Sequence, residues 1–440
     1  MAVPDAESAP TRLTRILPVD KIKPPRADAE TDLASWFLAR RESFPLQSAN
    51  LAEAAAALRE SAVPVAFPTE TVYGLAADAT RSEAVRGIYE AKQRPLDNPL
   101  IVHFGSLPQL RRLLRPPKDY PHCQPTNGFH FDEFRTDDPI PPVYALLISR
   151  FWPGPLTILL PTPAHSPLSP LISPSLPTFG ARIPSSPLAR LLISLANRPI
   201  AAPSANASGR PSPTTAQHVL DDLDGRIEII LDGGPCEVGV ESTVVDGLSD
   251  PPAVLRPGGV GIEEIRALGG RWAGIKCAYE DRKETVAHLR QETAPRAPGM
   301  KYRHYAPRGR VLLVEAGTNE PKVEDVLREN VPMSDGREVT VGIVRTRAWR
   351  EFIDLDVDDV LKYADATMSR ARWHPEPHRE CLLLDVFIGP DVPRIAKGLF
   401  SALRTLDEAN CHVILVEGIP DQEGDLAAAV MNRLRKAADG

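Results

Sequence analysis

The sequence predicts an α/β protein with two sheet domains, the larger one first. Two observations carry this. Up to about residue 272, apolar runs of strand length interleave with segments of helical period, as in an α/β domain around one sheet. Beyond residue 309 a second, smaller strand–helix set appears and proline becomes sparse: 38 of the 46 prolines fall within residues 1–300. Proline fixes φ and lacks a backbone donor, so the first part is expected to use short elements joined by rigid turns.

Taken in order, VPVAFPTE (63–70) reads as a buried strand and SEAVRGIYEAK (82–92) as an amphipathic helix opened by a Ser82 N-cap. NPLIVHF (98–104), LTILL (156–160), IAAP (200–203), IEIILDGG (227–234) and STVVDG (242–247) read as further strands. SPLARLLISLA (186–196) and TTAQHVLDDL (214–223) read as helices, each started by Ser or Thr. Residues 115–142 and 161–177 are rich in Pro, Ser and Asp with little periodicity, and are expected to be surface insertions. Residues 291–309 form a Pro/Gly break dense in Lys, Arg, His and Tyr. Beyond it GRVLLVEAG (309–317), VTVGIVR (339–345) and CHVILVEG (411–418) are strands, and 398–409 and 425–438 are helices. This second set fits a βαβ unit with a parallel sheet.

Several classes are excluded. No run reaches the 18 or so apolar residues of a membrane helix. Asp5 and Glu7 stand where a signal peptide would be basic and then apolar. Five cysteines without a C-x-x-C favour reduced thiols and a cytoplasmic location over a disulfide framework. Arg12, Arg15, Lys21 and Lys23 leave a weak case for a mitochondrial pool. A net charge of −7 names no partner.

The densest chemistry lies in PTETVYGLAADA (68–79) and KQRPLDNPLIVHF (92–104). Thr69, Thr71 and Tyr73 place hydroxyls just past a strand end, where open α/β sheets bind ligands. Lys92 alone is equally a charge that offsets a helix dipole, by about 0.3–1 kcal/mol. Lys92-x-Arg94 running into Pro95 and Asn98-Pro99 is more specific, because a rigid segment holds the cations as a phosphate clamp would. APSANASGRPSPT (202–214) offers Ser204, Asn206, Ser208 and Ser212 directly after a strand. By itself such a segment is more often a turn. Arg182 and Arg256 each end an apolar strand in GARIP (180–184) and LRPGG (255–259), with Ser242 and Thr243 between them in sequence, and could close around a polyanion.

Other signatures fail. There is no Walker-type phosphate loop, and GGVGIEEI (258–265) has Glu264 where a dinucleotide fingerprint needs its third glycine. His374 and His378 are separated by Pro375 and Pro377, which forbid a shared helix face. His122, Cys123 and His130 lack a fourth ligand at sensible spacing, so no metal site is expected. The residues alone describe a cavity that binds a phosphorylated ligand through hydroxyls and arginines, and they do not name the reaction.

In their order, PTETVYGLAADA, K-x-R-P-x-x-NPLIVH, FWPGPLT, APSANASG, ESTVVD and LRPG resemble the YrdC-like domain of threonylcarbamoyl-AMP synthases. PGMKYRHYAP (298–307) and the C-terminal region resemble the two-domain version of that family. The resemblance implies a YrdC-like twisted mixed sheet with helices and a ligand cavity, then a smaller Rossmann-like domain. It sets an N-terminal extension at 1–44 with TRILPVD (14–20) as an early strand. The catalytic domain is then 45–272, the linker or lid 273–308, and the C-terminal domain 309–440.

The implied reaction condenses L-threonine, bicarbonate or CO2, and ATP to threonylcarbamoyl-AMP and pyrophosphate, with Mg2+ on the nucleotide. The product serves a downstream tRNA threonylcarbamoyl transferase complex, with at most weak or indirect tRNA contact and no membrane partner. Carried over by motif, Lys92, Arg94 and Arg256 act on the triphosphate. Arg94, Asn98, Thr178, Ser204, Asn206, Ser212 and Arg256 contact ATP, joined by Tyr302 and His304 of the linker as a cover that excludes water. Thr71, His103, Arg182 and Ser242 contact threonine, Arg182 pairing its carboxylate. Beside Thr178 the residue before the glycine is Phe179, a departure from the family pattern. Hydrogenase-maturation carbamoyltransferases share the domain but need zinc-finger cysteines that this chain lacks. The remaining alternative is a non-catalytic RNA-binding module of the same fold.

Overall fold

The computed structural model describes residues 12–115, 138–278, 305–318, 321–330, 339–349, 359–363, 366–376 and 379–438. Its first sheet comprises β1 (Arg15–Pro18), β2 (Val65–Phe67), β3 (Gly74–Asp78), β4 (Ile101–His103), β5 (Leu156–Pro161) and β6 (Thr178–Arg182). It continues with β7 (Ile200–Ala201), β8 (Ile229–Asp232), β9 (Thr243–Asp246), β10 (Ala253–Arg256) and β11 (Lys276–Cys277). They are arranged β1-β8-β2-β3-β7-β4-β6-β5-β9-β10-β11, a mixed sheet. β4 runs parallel to β6, and β5 parallel to β9, whereas β2 and β3, β5 and β6, and β9 and β10 are antiparallel. Both faces are covered, so alternation along a strand sorts residues between two apolar layers rather than between core and water. Val65 and Phe67 join one layer while Ala66 joins the other.

The helices of this part are α1 (Ala34–Leu38), α2 (Pro45–Glu60), α3 (Ser82–Lys92), α4 (Leu107–Leu114), α5 (Ala145–Phe151), α6 (Pro187–Ala196), α7 (Ala216–Leu223) and α8 (Ile262–Arg266). Ser186 and Thr215 cap α6 and α7 by accepting from Ala189 and His218 N–H, each at 3.3 Å. Ser82 does not cap α3. It is the first helical residue, and its hydroxyl lies 2.9 Å from that of Ser169.

That contact belongs to a larger correction, because residues 161–177 are not a loose surface loop. Ile172 is buried in the core, its carbonyl accepts from Leu100 N–H, and the Leu171 carbonyl accepts from the Tyr89 hydroxyl. Prolines and serines there shape a segment whose backbone is satisfied by its neighbours. Of 115–142, residues 116–137 lie outside the described residues. β1 pairs in parallel with β8, so the N-terminal extension enters the sheet, and β11 adds a strand within the stretch expected as linker.

The second sheet contains β12 (Arg310–Val314), β13 (Val339–Arg345), β14 (Asp359–Tyr363), β15 (Ala366–Glu376), β16 (Arg379–Phe387) and β17 (Val413–Glu417), ordered β12-β17-β13-β16-β15-β14. Four strands are parallel, as a βαβ unit requires, and β15 and β14 extend the sheet antiparallel. α9 (Val323–Asn330), α10 (Val392–Glu408) and α11 (Asp425–Ala438) complete it. Among the described residues no helix is long and apolar enough to cross a membrane.

The two sheets share one apolar cluster. Val72 and Val240 from the first part pack with Ile395, Leu399 and Phe400 of α10. Gly239, at φ +80°, makes the approach possible, since a Cβ there would lie 2.5 Å from the Ala396 carbonyl oxygen. Buried charge reinforces the seam. Arg404 of α10 grips Asp222 of α7 at 3.1 and 2.8 Å, and Arg210 bridges from Asp222 to Asp407.

Candidate active site

A cleft of about 730 Å³, counting solvent at its mouth, opens where β4, β6 and β10 end. The parallel register sets His103 opposite Arg182 and Ile101 opposite Gly180, so alternate residues of β4 and β6 form one wall. Thr71 and Ser242 stand at the Arg182 end. Lys92, Arg94, Ser204 and Asn206 line the cleft together with Arg256.

At the first end Arg182 is 4% exposed and donates to Glu70 Oε1 at 2.6 Å, Thr71 Oγ1 at 3.0 Å and the Gly154 carbonyl at 3.3 Å. Burial opposes the Glu70 charge, but Arg182 outweighs it and holds the carboxyl below its ordinary range. Ser242 Oγ lies 2.8 Å from Thr157 Oγ1 and accepts from Arg256 Nη2 at 3.1 Å. His103 is buried, and desolvation followed by the Arg182 charge pushes its pKa down to about 3. Its imidazole is therefore neutral at physiological pH. This end offers a fixed guanidinium, hydroxyls and a neutral ring, which suits an amino-acid zwitterion.

At the second end Lys92, the last residue of α3, is fully buried. Its Nζ donates to the Ser204 and Asn206 carbonyls at 2.5 Å each and to Asn206 Oδ1 at 3.3 Å. Desolvation lowers its pKa well below the usual lysine value, while three oxygens in hydrogen-bond reach match an ammonium's three donors. Lys92 thus fixes the 204–206 loop instead of reaching into the cleft as a free cation. Ser204 Oγ in turn donates to Asn206 Oδ1 at 2.5 Å. Arg94 donates to the Asn98 and Pro99 carbonyls at 3.3 and 3.0 Å, and burial pushes its pKa down to about 10, still charged at pH 7. Arg256 donates through Nε and Nη2 to the Ser242 carbonyl at 3.1 and 2.9 Å.

Nine expected residues therefore meet in one cleft: Thr71, Lys92, Arg94, His103, Arg182, Ser204, Asn206, Ser242 and Arg256. Asn98 and Ser212 are buried outside its described lining. Asn98 Oδ1 has no partner among the described residues, and the Ser212 hydroxyl donates to Glu241 Oε1 at 2.5 Å. Thr178 shares the Gly180–Arg182 face of β6 but lies two alternate positions from Arg182, outside the lining and opposite Pro161. Tyr302 and His304 lie outside the described residues.

Sequence reasoning missed Glu241, Tyr305 and Glu70. Glu241 and Tyr305 line the cleft, and both stand inside motifs already singled out, one residue from Ser242 and one from His304. Tyr305 takes the left-handed φ of 67°, stacks on Phe400 at 5.3 Å between ring centres, and is fixed by Ala306 N–H donating to the Gly209 carbonyl. Burial, then the neighbouring Glu241 charge, pushes its pKa up to about 12.

Residues 57–258 match the family model described as telomere recombination, and residues 260–439 match the threonylcarbamoyl-AMP synthase C-terminal domain. The chain is 44% identical over 391 residues to the threonylcarbamoyl-AMP synthase of Schizosaccharomyces pombe, covering 88% of each chain. It is 39% identical to the protein of that name from Bacillus subtilis, covering 92% of this chain and 97% of the relative. The crystal structure of Pyrococcus abyssi Sua5 complexed with L-threonine is 38% identical. It covers 88% of this chain and 94% of its own, with a TM-score of 0.65. A double-alanine variant of the same protein covers 97% of both chains at 35% identity and a TM-score of 0.68.

Proposed function

Since the chain belongs to the threonylcarbamoyl-AMP synthase family, an enzyme reading replaces the RNA-binding alternative, and we propose how its cleft divides the work. Arg182, held by Glu70, pairs with the threonine carboxylate, and Thr71, Ser242 and neutral His103 surround the rest of the amino acid. A site built to hydrogen-bond the substrate hydroxyl rejects analogues that lack it. Arg94 and Arg256 face the triphosphate, Ser204 and Asn206 position the nucleotide on the loop that Lys92 holds, and Asn98, Ser212 and Thr178 border it. The observation that carries this reading is that Arg182, paired with Glu70, and the arginines Arg94 and Arg256 open into one cleft, Arg256 also donating to Ser242.

The neutral threonine amine adds to CO2, forming the N–C bond of a carbamate and releasing one proton; starting from bicarbonate, that proton leaves within a water and none is released net. A carbamate oxygen then attacks the α-phosphorus, and the bond to the β-phosphate oxygen breaks to expel pyrophosphate. No protein nucleophile is required, so the side chains act by positioning and by stabilising charge. Among the described residues no group of three or more His, Cys, Asp or Glu could hold a metal, and both Glu241 oxygens are engaged. Mg2+ would enter on the ATP phosphates, as part of the substrate.

Downstream, the labile mixed anhydride goes to a tRNA-modifying transferase complex, with only weak or indirect tRNA contact by this chain. A cytoplasmic location with a mitochondrial pool accompanies this reading. Omission assays test it. Pyrophosphate release should require ATP, threonine and bicarbonate together, and release independent of threonine would remove the reading.

A further inference from the structure

Glu241 is the acidic side chain among the described residues lining a cleft otherwise furnished with cations. A carboxylate facing a site for a triphosphate would repel it, or would pair with Arg256, whose environment already carries the Glu241 charge. The structure shows what restrains it. Arg433, on α11 of the C-terminal part and 1% exposed, donates from Nε and Nη2 to Glu241 Oε2 at 3.1 and 3.0 Å. Its Nη1 donates to the Pro257 carbonyl at 2.6 Å, next to Arg256. The guanidinium also lies over the Tyr305 ring, 5.8 Å from its centre. The other Glu241 oxygen is taken by Ser212. One arginine from a C-terminal helix thus touches the acid, the aromatic wall and the backbone beside Arg256.

We propose that Arg433 is a positioning residue of the nucleotide site. It pairs with Glu241, so that the carboxylate's charge is met by Arg433 rather than falling on Arg256 and the phosphates. The C-terminal domain is then part of the nucleotide-binding machinery through a single buried charge. This rests on the cleft being the nucleotide site, and wild-type turnover tests that separately. An inactive wild type sinks that reading; an active wild type whose Arg433 variants behave normally sinks this one.

The experiment is a steady-state comparison of Arg433→Met, Arg433→Lys and the double variant Arg433→Met/Glu241→Gln, with ATP and threonine varied independently. Arg433→Met should raise the ATP KM by about 10- to 100-fold, while the threonine KM stays within about threefold. Glu241→Gln keeps an acceptor for Ser212 but removes the charge, so the double variant should recover ATP KM to within about threefold of wild type. A merely structural arginine would give no such rescue. Arg433→Lys keeps the charge beside Glu241 but loses the fork that also holds the Pro257 carbonyl, so its ATP KM should rise by less than about tenfold, and this arm still decides if the Met variant fails to fold. An unchanged ATP KM in Arg433→Met, a double variant no better than the single, or a Lys variant impaired beyond that range would each overturn the proposal.

Discussion

Lys92 Nζ lies 2.5 Å from the Asn206 carbonyl oxygen and 3.3 Å from Asn206 Oδ1, joining the end of α3 to a loop 114 residues away. The loop it braces is a wall of the cleft. Lys92→Met leaves buried oxygens without donors, each worth about 1–3 kcal/mol. We predict a lower melting temperature and a loss of kcat/KM of about 100-fold or more. Lys92→Arg should not rescue, because a planar fork cannot replace a compact ammonium among three converging oxygens. Thermal denaturation and steady-state pyrophosphate release check both.

Glu70 is predicted to act on threonine rather than ATP. Glu70→Gln leaves Arg182 buried without its counter-charge, a change that costs about 3–5 kcal/mol when a buried pair is broken outright and less when a hydrogen bond survives. The threonine KM should rise about tenfold or more, with the ATP KM within about threefold. The pH sign follows from the lowered Glu70 pKa. Its stabilisation is complete above the ordinary carboxylate range and fades as pH falls through its lowered value, so wild type should lose its advantage over Glu70→Gln in acid.

Lys436 carries a second pH signature. Burial, then Arg433 and Arg256, push its pKa down to about 8 from an ordinary 10.5. The unfolded chain binds this proton more tightly, so stability rises with pH between those values and the cost is fully present below pH 8. Denaturant titrations should show the wild type gaining on Lys436→Gln from pH 8 to 10.5. Parallel curves would remove the assignment.

Tyr305 closes the cleft from the linker side. Tyr305→Ala should admit water to the mixed anhydride, raising free AMP relative to intact product by about tenfold. Deleting 299–306 should abolish synthesis while circular dichroism shows both sheets folded. Chromatographic separation of AMP and threonylcarbamoyl-AMP reads both outcomes.

Much of the site was legible in the sequence because its parts are local. Thr71, Arg94, Ser204 and Arg256 stand at strand or helix ends flanked by Gly and Pro, and that turn chemistry marks them. Glu241 and Arg433 were not legible as a pair, since 192 residues separate them and a helical arginine gives no sign of its partner. The proline-rich composition of 161–177 concealed Ile172, whose burial depends on neighbours supplied by β4 and α3. β14 and β15 escaped because antiparallel extension of a parallel sheet comes from pairing between segments, not from the period of either one.

The step that defines this chemistry is attack on ATP by a carbamate rather than by the threonine carboxylate. Incubation with 13C-bicarbonate, threonine and ATP, read by mass spectrometry, separates the two. One labelled carbon is expected in threonylcarbamoyl-AMP for each pyrophosphate released. Pyrophosphate accompanied by an unlabelled threonyl adenylate would contradict it.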